Sequence, residues 1–496
     1  MTRGDSLIVN SFPIRALPRS RSFRFPACTL YHERLRAMAR LPENRIMTLR
    51  RFRNLALILL SLITLGCDQG RENPPDVAVR VLNAAPSFGS LGFRREQTQP
   101  QTLEYKQVSV PFNWDQDQYD FHVAAIPPGG NGSCTANVTC VADFSKELRT
   151  DINYTFVLTE VGGTIQPVFL EQPKPPANSA DAHVIALHAA EALAPMDLYF
   201  TPTSSVPLAP LGAPFASLSF GQSTAARTIA TGDYVIIATA RGNPASVLLT
   251  STPFTLSAAL TASFVIVDGA GQGVAPFGVV VMAQGTGELL DQSTQASLRV
   301  INGATDGAPR DVAINDQFTP PLFAAVPFAT PTPYQIVPTS ANTVNVTPPG
   351  NPGVLELTAT ITPTTNYKHT LLFTGEAGAL TYLVQIDDGR RIDGEARVRF
   401  NNVATQFTLL DFFIVATGTT DLSNTFPIVT LATPGGSAII PFPPGTYDLF
   451  LRPSGSTDLA AGPLPLTVAG NGIYTLLAVN GPDTASAAIV HLDDMP

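Results

Sequence analysis

Charge is scarce in this chain of 496 residues: Asp, Glu, Lys and Arg make up only 14% of it, against about 25% in an ordinary soluble domain. Val, Thr, Phe, Gly and Pro are plentiful instead, a balance that favours strands and turns over helices. Chemistry-bearing motifs are missing too. No Gly-x-Ser-x-Gly elbow, His-Glu-x-x-His pair, phosphate-cradling glycine loop or dinucleotide fingerprint occurs, which removes the usual hydrolase, metalloprotease, nucleotide and nicotinamide chemistries. Beyond the N-terminal region the histidines are His122, His183, His188, His369 and His491, and none stands at zinc-ligand spacing with two further ligands. Neither a catalytic residue nor a cofactor is expected. The length exceeds one hydrophobic core, so several domains are expected.

Long apolar runs are also few, and the one present is informative. In "MTLRRFRNLALILLSLITLGCDQG", Arg50, Arg51 and Arg53 precede an apolar stretch, Leu55 to Leu65, that is short for a membrane span. The segment reads as a secretion signal. Its end, Thr64-Leu65-Gly66-Cys67, resembles the lipobox of bacterial lipoproteins, with Thr64 where Leu is usual. That resemblance implies cleavage before Cys67 and lipidation of its thiol. Residues 47–66 are then the signal peptide, 67–76 the lipidated cysteine and tether, and 1–46 an over-extended gene start. The "RGDSL" at Arg3 to Leu7, which carries an adhesion tripeptide and a lipase signature, falls in that leader and is assigned neither function.

Loss of residues 1–66 takes 12 of the 30 basic and 3 of the 39 acidic residues, leaving a net charge near −18. Such a surface repels nucleic acid and anionic headgroups. The partners expected are therefore the membrane, through the lipid anchor, and an envelope protein or surface polysaccharide, but no nucleic acid. The expected location is the bacterial cell envelope, facing periplasm or cell surface. Cysteine is as sparse: apart from Cys28 and Cys67 only Cys134 and Cys140 remain, in "CTANVTC". In an oxidising compartment this spacing favours a small loop disulfide, and the stretch offers no further metal ligand.

Four segments open alike: "VRVLNAAP", "VIALHAAE", "LRVINGAT" and "VRFNNVAT". Each is an alternating strand running into Asn83, His188, Asn302 or Asn402, at separations of 105, 114 and 100 residues. Further landmarks recur in order. A second strand ("LGF", "MDLYF", "RDVAI", "LLDFFIV") leads to a Tyr-bearing strand ("YDFHVAAI", "GDYVIIATA", "PYQIV", "GTYDLFL"). A late aromatic strand follows, with Tyr154, Phe264, Tyr367 and Tyr474, and then a closing strand. Units of this size and pattern predict an all-β chain of four tandem immunoglobulin-like antiparallel β-sandwich modules, at 77–177, 178–292, 293–391 and 392–496. Alternation predicts one buried and one wet face per sheet. Short connections predict a string of modules with limited bending.

These openings, with "MDLYF", "PPGTYDLFL" and "GIYTLLAV", resemble the domain of unknown function 4397 family, found as tandem modules in exported prokaryotic proteins. The likeness spans most of the mature chain and is densest in the fourth unit. It implies a fold and an envelope address without an established activity.

Few side chains suggest a site. "DQDQYD" places Asp115, Asp117 and Asp120 at spacings that suit a calcium loop, but the sixth-position Gly and twelfth-position Glu are missing, which favours a solvated loop. The single Trp, Trp114, stands beside it and reads as core or as a sugar-stacking platform. His188 takes an Asn position, which favours a hydrogen-bonding role. Asp387-Asp388 and Asp493-Asp494 close two units and read as edge protection. Two functions are left: a non-catalytic, lipid-anchored structural, adhesion or protein-interaction protein, and a small-ligand or carbohydrate-binding lipoprotein with its site in the first repeat.

Overall fold

The computed structural model describes residues 77–494 except 129–131, 135–139, 177, 206–210, 270–272, 284, 433 and 434. Cys67 and the signal segment lie outside the described residues. Among the described residues strands account for nearly all of the regular structure, and the long ones draw on runs rich in Val, Ile, Phe and Thr.

The first repeat contributes β1 (Val77–Ala84), β2 (Ser90–Arg95), β3 (Gln101–Leu103), β4 (Phe112–Trp114), β5 (Gln118–Ile126), β6 (Cys140–Glu147), β7 (Ile152–Val161) and β8 (Thr164–Pro173). The second adds β9 (Ala182–His188), β10 (Met196–Pro202), β11 (Ala216–Leu218), β12 (Arg227–Ile229) and β13 (Gly232–Ala240). It continues with β14 (Asn243–Thr250), β15 (Phe254–Leu256), β16 (Thr261–Asp268), β17 (Phe277–Met282) and β18 (Thr286–Leu289). In the third are β19 (Ala296–Ala304), β20 (Arg310–Ile314), β21 (Phe323–Val326), β22 (Gln335–Val337), β23 (Asn342–Thr347), β24 (Leu357–Ile361), β25 (Lys368–Gly375) and β26 (Thr381–Asp387). The fourth has β27 (Ala396–Asn402), β28 (Leu409–Ala416), β29 (Val429–Ala432), β30 (Gly436–Phe442), β31 (Gly445–Pro453), β32 (Ala461–Val468), β33 (Ile473–Asn480) and β34 (Ala487–Asp493).

Each repeat folds into two sheets. In the first, the order β4-β1-β7-β8 faces β3-β2-β5-β6, and the last two repeats reproduce it as β22-β19-β25-β26 with β21-β20-β23-β24 and β30-β27-β33-β34 with β29-β28-β31-β32. The second repeat adds strands at its edges. The chain is thus all-β, with sandwich-like sheet pairs. Among the described residues the named strands pair antiparallel but for one contact per repeat: the opening strand lies parallel to the late strand, Val79 opposite Tyr154, Val184 opposite Ala262, Leu298 opposite His369 and Val398 opposite Tyr474. Inward residues of both sheets close the core, as with Val77, Val79, Val81, Leu91, Phe93, Phe121, Val123 and Phe156 in the first repeat.

The opening-strand asparagines lock the two sheets together. Asn83, Asn302 and Asn402 are fully buried, and their Nδ2 groups donate to Leu103, Val326 and Leu431 of the opposite sheet at 3.0, 3.0 and 3.2 Å. Each Oδ1 accepts from the backbone N–H two residues on, at 3.0 Å. His188 keeps part of this: its Nε2 lies 3.4 Å from the Ala194 carbonyl, as Asn302 Nδ2 lies 2.9 Å from Ala308, also six residues on.

The third repeat departs from the sequence landmarks. "PYQIV" forms β22, which pairs with the opening strand, whereas β23, without an aromatic residue, takes the place of the Tyr-bearing strand. Tyr119, Tyr234 and Tyr447 donate their hydroxyls to the carbonyl four residues back, at 3.2, 2.9 and 2.8 Å; in β23 Asn342 Nδ2 does so, to Pro338 at 2.9 Å. On the late strand Tyr154 and Tyr474 accept from the N–H five residues back, and His369 Nε2 accepts likewise from Thr364 at 3.3 Å. The register residues are therefore Ala262 and His369, and not Phe264 and Tyr367. A different side chain meets the same hydrogen-bond demand, so a search for aromatic residues misses it.

The repeats also pack on one another more than a string would. Outward residues of β1, β7 and β8 (Leu82, Val157, Leu170) meet Ile185, Leu187, Val265 and Met282 of the second repeat. Ile301 and Leu372 meet Val403, Leu477 and Val479 in the same way. The opening-strand sheets are consequently buried on both faces where they meet, and one wet face is the rule only for the other sheets. Gly303 makes the second contact possible, since a Cβ there would fall 2.9 Å from the Phe373 carbonyl and 3.2 Å from Val403. The first repeat further touches the connection between the last two, where Asp393 N–H donates to the Ser87 carbonyl at 2.9 Å. Asn366 Oδ1 accepts from the N–H groups of Val274 and Ala275, joining the second repeat to the third.

Candidate functional site

Arg299 sits on β19 between Leu298 and Val300, which point into the core. Strand alternation therefore turns its guanidinium outward, toward the fourth repeat. Arg399 on β27, between Val398 and Phe400, faces the third repeat for the same reason. The carboxylates come from the closing strands, Asp387 at the end of β26 and Asp494 just beyond β34.

The exchange is reciprocal. Arg299 donates to both Asp494 oxygens, with Nη2 to Oδ2 at 2.9 Å, and its Nε donates to Thr370 at 2.7 Å. Arg399 Nη1 donates to Asp387 Oδ1 at 2.5 Å and to Gln385 at 2.6 Å, and Nη2 to the Ile386 carbonyl at 2.7 Å. Thr370 and Thr475 donate to Asp387 and Asp494, at 2.5 and 2.6 Å, and Tyr334 hydroxyl adds a third bond to Asp387 at 2.6 Å. All four charged side chains are at most 7% exposed. Burial would lower the Arg299 guanidinium, but the Asp494 hydrogen bonds and the Asp387 and Asp494 charges carry it above its usual value. Burial would raise Asp494, but Arg299 and Thr475 hold it below the carboxylate range. The cleft at this junction is nearly closed, about 20 Å³. The aspartates read from sequence as edge protection are thus interface ligands for arginine, and the signal for them was an arginine recurring at one position of an apolar strand.

The first two repeats use the same surfaces with different residues. Arg80 occupies the Arg299 position, on β1 after Val79, and its Nη1 donates to the Ala283 carbonyl at 2.5 Å. No carboxylate lies within ion-pair distance of it among the described residues. The cleft here is about 330 Å³, lined by Arg80, Tyr154, Thr155, Gln172, Ser263 and Ala283 among others. Burial pushes the Arg80 guanidinium below its usual value.

A second polar cleft, about 440 Å³, opens where three connections meet. Lys106 and Glu288 pair there at 2.7 Å, and Tyr105 hydroxyl donates to the Asp268 carbonyl at 2.6 Å. Arg390 lies 5.5 Å from the Tyr105 ring, and Arg390 and Arg397 both hold Asp388, at 3.1 and 2.6 Å. Burial pushes Asp268 up to about 6. Every charge lining this cleft but Glu104 has an opposite partner, which makes it a brace between repeats.

The residues singled out in the first repeat are placed as follows. Trp114 stacks on Phe112 at 4.7 Å, packs against the core, and carries the Arg95 guanidinium over its ring at 5.1 Å. Asp115 offers its backbone carbonyl to Tyr119, Asp117 accepts from the Gln118 N–H at 2.8 Å, and Asp120 accepts from Ser145 at 2.5 Å. The three carboxylates do not converge on one point. Cys134 and Cys140 are joined as a disulfide. Among the described residues the one cluster with metal-ligand types is His122, Cys140 and Asp143, but Cys140 is bonded to Cys134 and offers no thiolate, while His122 Nδ1 meets Asp143 at 2.6 Å. No helix among the described residues is long and apolar enough to cross a membrane.

Residues 296–413 match the domain of unknown function DUF4397. The match covers the third repeat and reaches β28 of the fourth, and so falls mainly on the third, not on the fourth where the motifs are densest. No curated protein matches the chain. Among solved structures, the TIE protein of Bacillus anthracis is similar over 88% of this chain and 79% of its own, at 10% identity and a TM-score of 0.13. The major pilin subunit BcpA of Bacillus cereus, in a single-residue variant, is similar over 82% and 99%, at 12% identity and a TM-score of 0.13. A multi-modular glycogen-degrading pneumococcal virulence factor, SpuA, is similar over 77% of this chain and 37% of its own, at 10% identity and a TM-score of 0.15.

Proposed function

We propose that this chain is a non-catalytic envelope protein, held at a membrane by a lipid on Cys67, whose β-sandwich repeats form a braced structural or interaction platform. The reciprocal Arg299–Asp494 and Arg399–Asp387 pairs carry this reading. Buried ion pairs held by further threonine, tyrosine and glutamine hydrogen bonds specify one relative placement of two repeats, and a fixed placement is what a scaffold or adhesive surface requires. The lipobox resemblance and the acidic mature chain support attachment through lipid and not through basic residues.

Two measurements test it. Labelling of cells with an alkyne fatty acid should mark the wild-type chain and leave Cys67→Ala unmarked; equal marking sinks the anchor. Protease shaving of intact and permeabilised cells, with peptides scored by repeat, should show the repeats cut together, at the surface or only after permeabilisation. Recovery of all of them in the soluble cytoplasmic fraction would remove the envelope role.

A further inference from the structure

We infer that the cleft between the first two repeats is a binding site for a small carboxylate-bearing ligand, whose carboxylate sits between Arg80 and Ser263.

The last two repeats supply the reference. There each outward arginine of an opening strand is met by a carboxylate from the neighbouring repeat, and a threonine of that neighbour's late strand holds the carboxylate: Arg299 with Asp494 and Thr475, Arg399 with Asp387 and Thr370. The register of the parallel strands carries this arrangement onto the first two. Arg80 follows Val79, which lies opposite Tyr154, as Arg299 follows Leu298 opposite His369. Ser263 follows Ala262, as Thr475 follows Tyr474. Arg80 is thus the Arg299 of this junction and Ser263 its Thr475. What differs is the residue at the Asp494 position: Met282 lies opposite Ser263 as Leu492 lies opposite Thr475, so the second repeat has the neutral Gln284 there, outside the described residues, and supplies no carboxylate.

Three observations say that the space is available. Where the aspartate closes the junction the cleft holds about 20 Å³, and here it holds about 330 Å³, within the roughly 300–1,000 Å³ of small-molecule pockets. Among the described residues Arg80 has a single carbonyl partner, which leaves most of its five N–H donors uncommitted there, and a guanidinium fork suits a carboxylate. Ser263 is 3% exposed and lines the same cleft. The wall mixes the polar side chains of Asn153, Thr155, Gln172 and Thr261 with apolar ones such as Leu260 and Met282, which suits a ligand that carries hydroxyls and a carbon ring face beside its acid group. A sugar acid has both.

The test is calorimetric titration of the full chain with D-glucuronate, D-glucose and inorganic phosphate. Glucuronate should bind at one site, glucose and phosphate at least tenfold more weakly. Arg80→Gln should weaken glucuronate at least tenfold, while Arg149→Gln, an exposed arginine of the same repeat, should keep wild-type affinity. If Arg80→Gln melts early, Ser263→Asp serves instead: it retains Arg80, puts a carboxylate of the chain's own into the cleft, and should abolish uptake. Phosphate binding as tightly as glucuronate overturns the carboxylate assignment. No uptake, or uptake indifferent to both substitutions, overturns the site.

Discussion

Arg299 and Asp494 stand 195 residues apart in sequence and meet through two hydrogen bonds in a buried interface, one of them 2.9 Å long. Their counterparts Arg399 and Asp387 run the other way across the same junction. Each repeat gives one arginine and takes one, so neither pair can form unless both repeats are folded and correctly placed.

Removal of one partner should therefore be costly. Asp494→Asn removes the two-pronged partner of a buried guanidinium and leaves it only Asp387, 3.4 Å from Nε, and a loss of about 3 kcal/mol in urea unfolding is expected. The double replacement Arg299→Met, Asp494→Leu should recover part of that loss, because both members of this pair are gone and Asp387 keeps Arg399 as its partner. A single variant that unfolds at the wild-type midpoint would show the pair to be idle.

Acid should open the same junction. Asp494 titrates below its usual 3.8 in the folded chain, with Arg299 and Thr475 outweighing burial. A depressed acid contributes stability above the unfolded value, and the contribution is lost as pH falls through the folded one. Unfolding midpoints should hold down to about pH 4 and drop below it, and Asp494→Asn should lose that part of the drop.

The sheet-crossing asparagines should matter in proportion to their bonds. Asn302 donates to two carbonyls and accepts one N–H while fully buried. Asn302→Leu should cost about 2–4 kcal/mol, since each stranded group carries a desolvation penalty of roughly 1–3 kcal/mol. His188 is the weak member, with a long bond on Nε2 and no partner on buried Nδ1. Burial, its largest influence, lowers its pKa from the usual 6.5. Its neutral state is favoured in the fold, so stability is complete above pH 6.5 and declines as pH falls below it. His188→Asn should flatten that decline, as followed by melting temperature between about pH 7.5 and about pH 5.

The Cys134–Cys140 disulfide closes a short loop, with a sequence separation of 6. Chain-entropy reasoning assigns such a loop roughly 2 kcal/mol. Cys134→Ser with Cys140→Ser should lower the unfolding free energy of the first repeat by about that amount, and dithiothreitol should do the same to the wild type while leaving the double variant unchanged.

Much of the fold was legible because strands write a two-residue period into the chain. The opening segments, the anchors Asn83, Asn302 and Asn402, and the order of the later strands all emerged from repeated pattern. The third repeat misled the reading at Tyr334 and Tyr367. Asn342 and His369 carry the hydrogen bonds that tyrosines carry elsewhere, and an amide, an imidazole and a phenol look unalike in sequence while serving one acceptor or donor. Trp114 drew attention by rarity, yet its ring lies on Phe112 and the core. Arg80, Arg299 and Arg399 were visible as repeated letters, but their meaning was not.

By itself, the order of residues determined strand positions, the inward face of each strand, the turns between them and the hydrogen-bonding residue that ends each opening strand. Those depend on local backbone geometry and on a periodicity that a few neighbours settle. Tertiary structure alone decided which repeats lie face to face, that the arginine of one meets the aspartate of the next, and that the equivalent cleft beside Arg80 stays open. Such contacts join residues one to two hundred positions apart, and their energy exists only after both surfaces have formed and left water together.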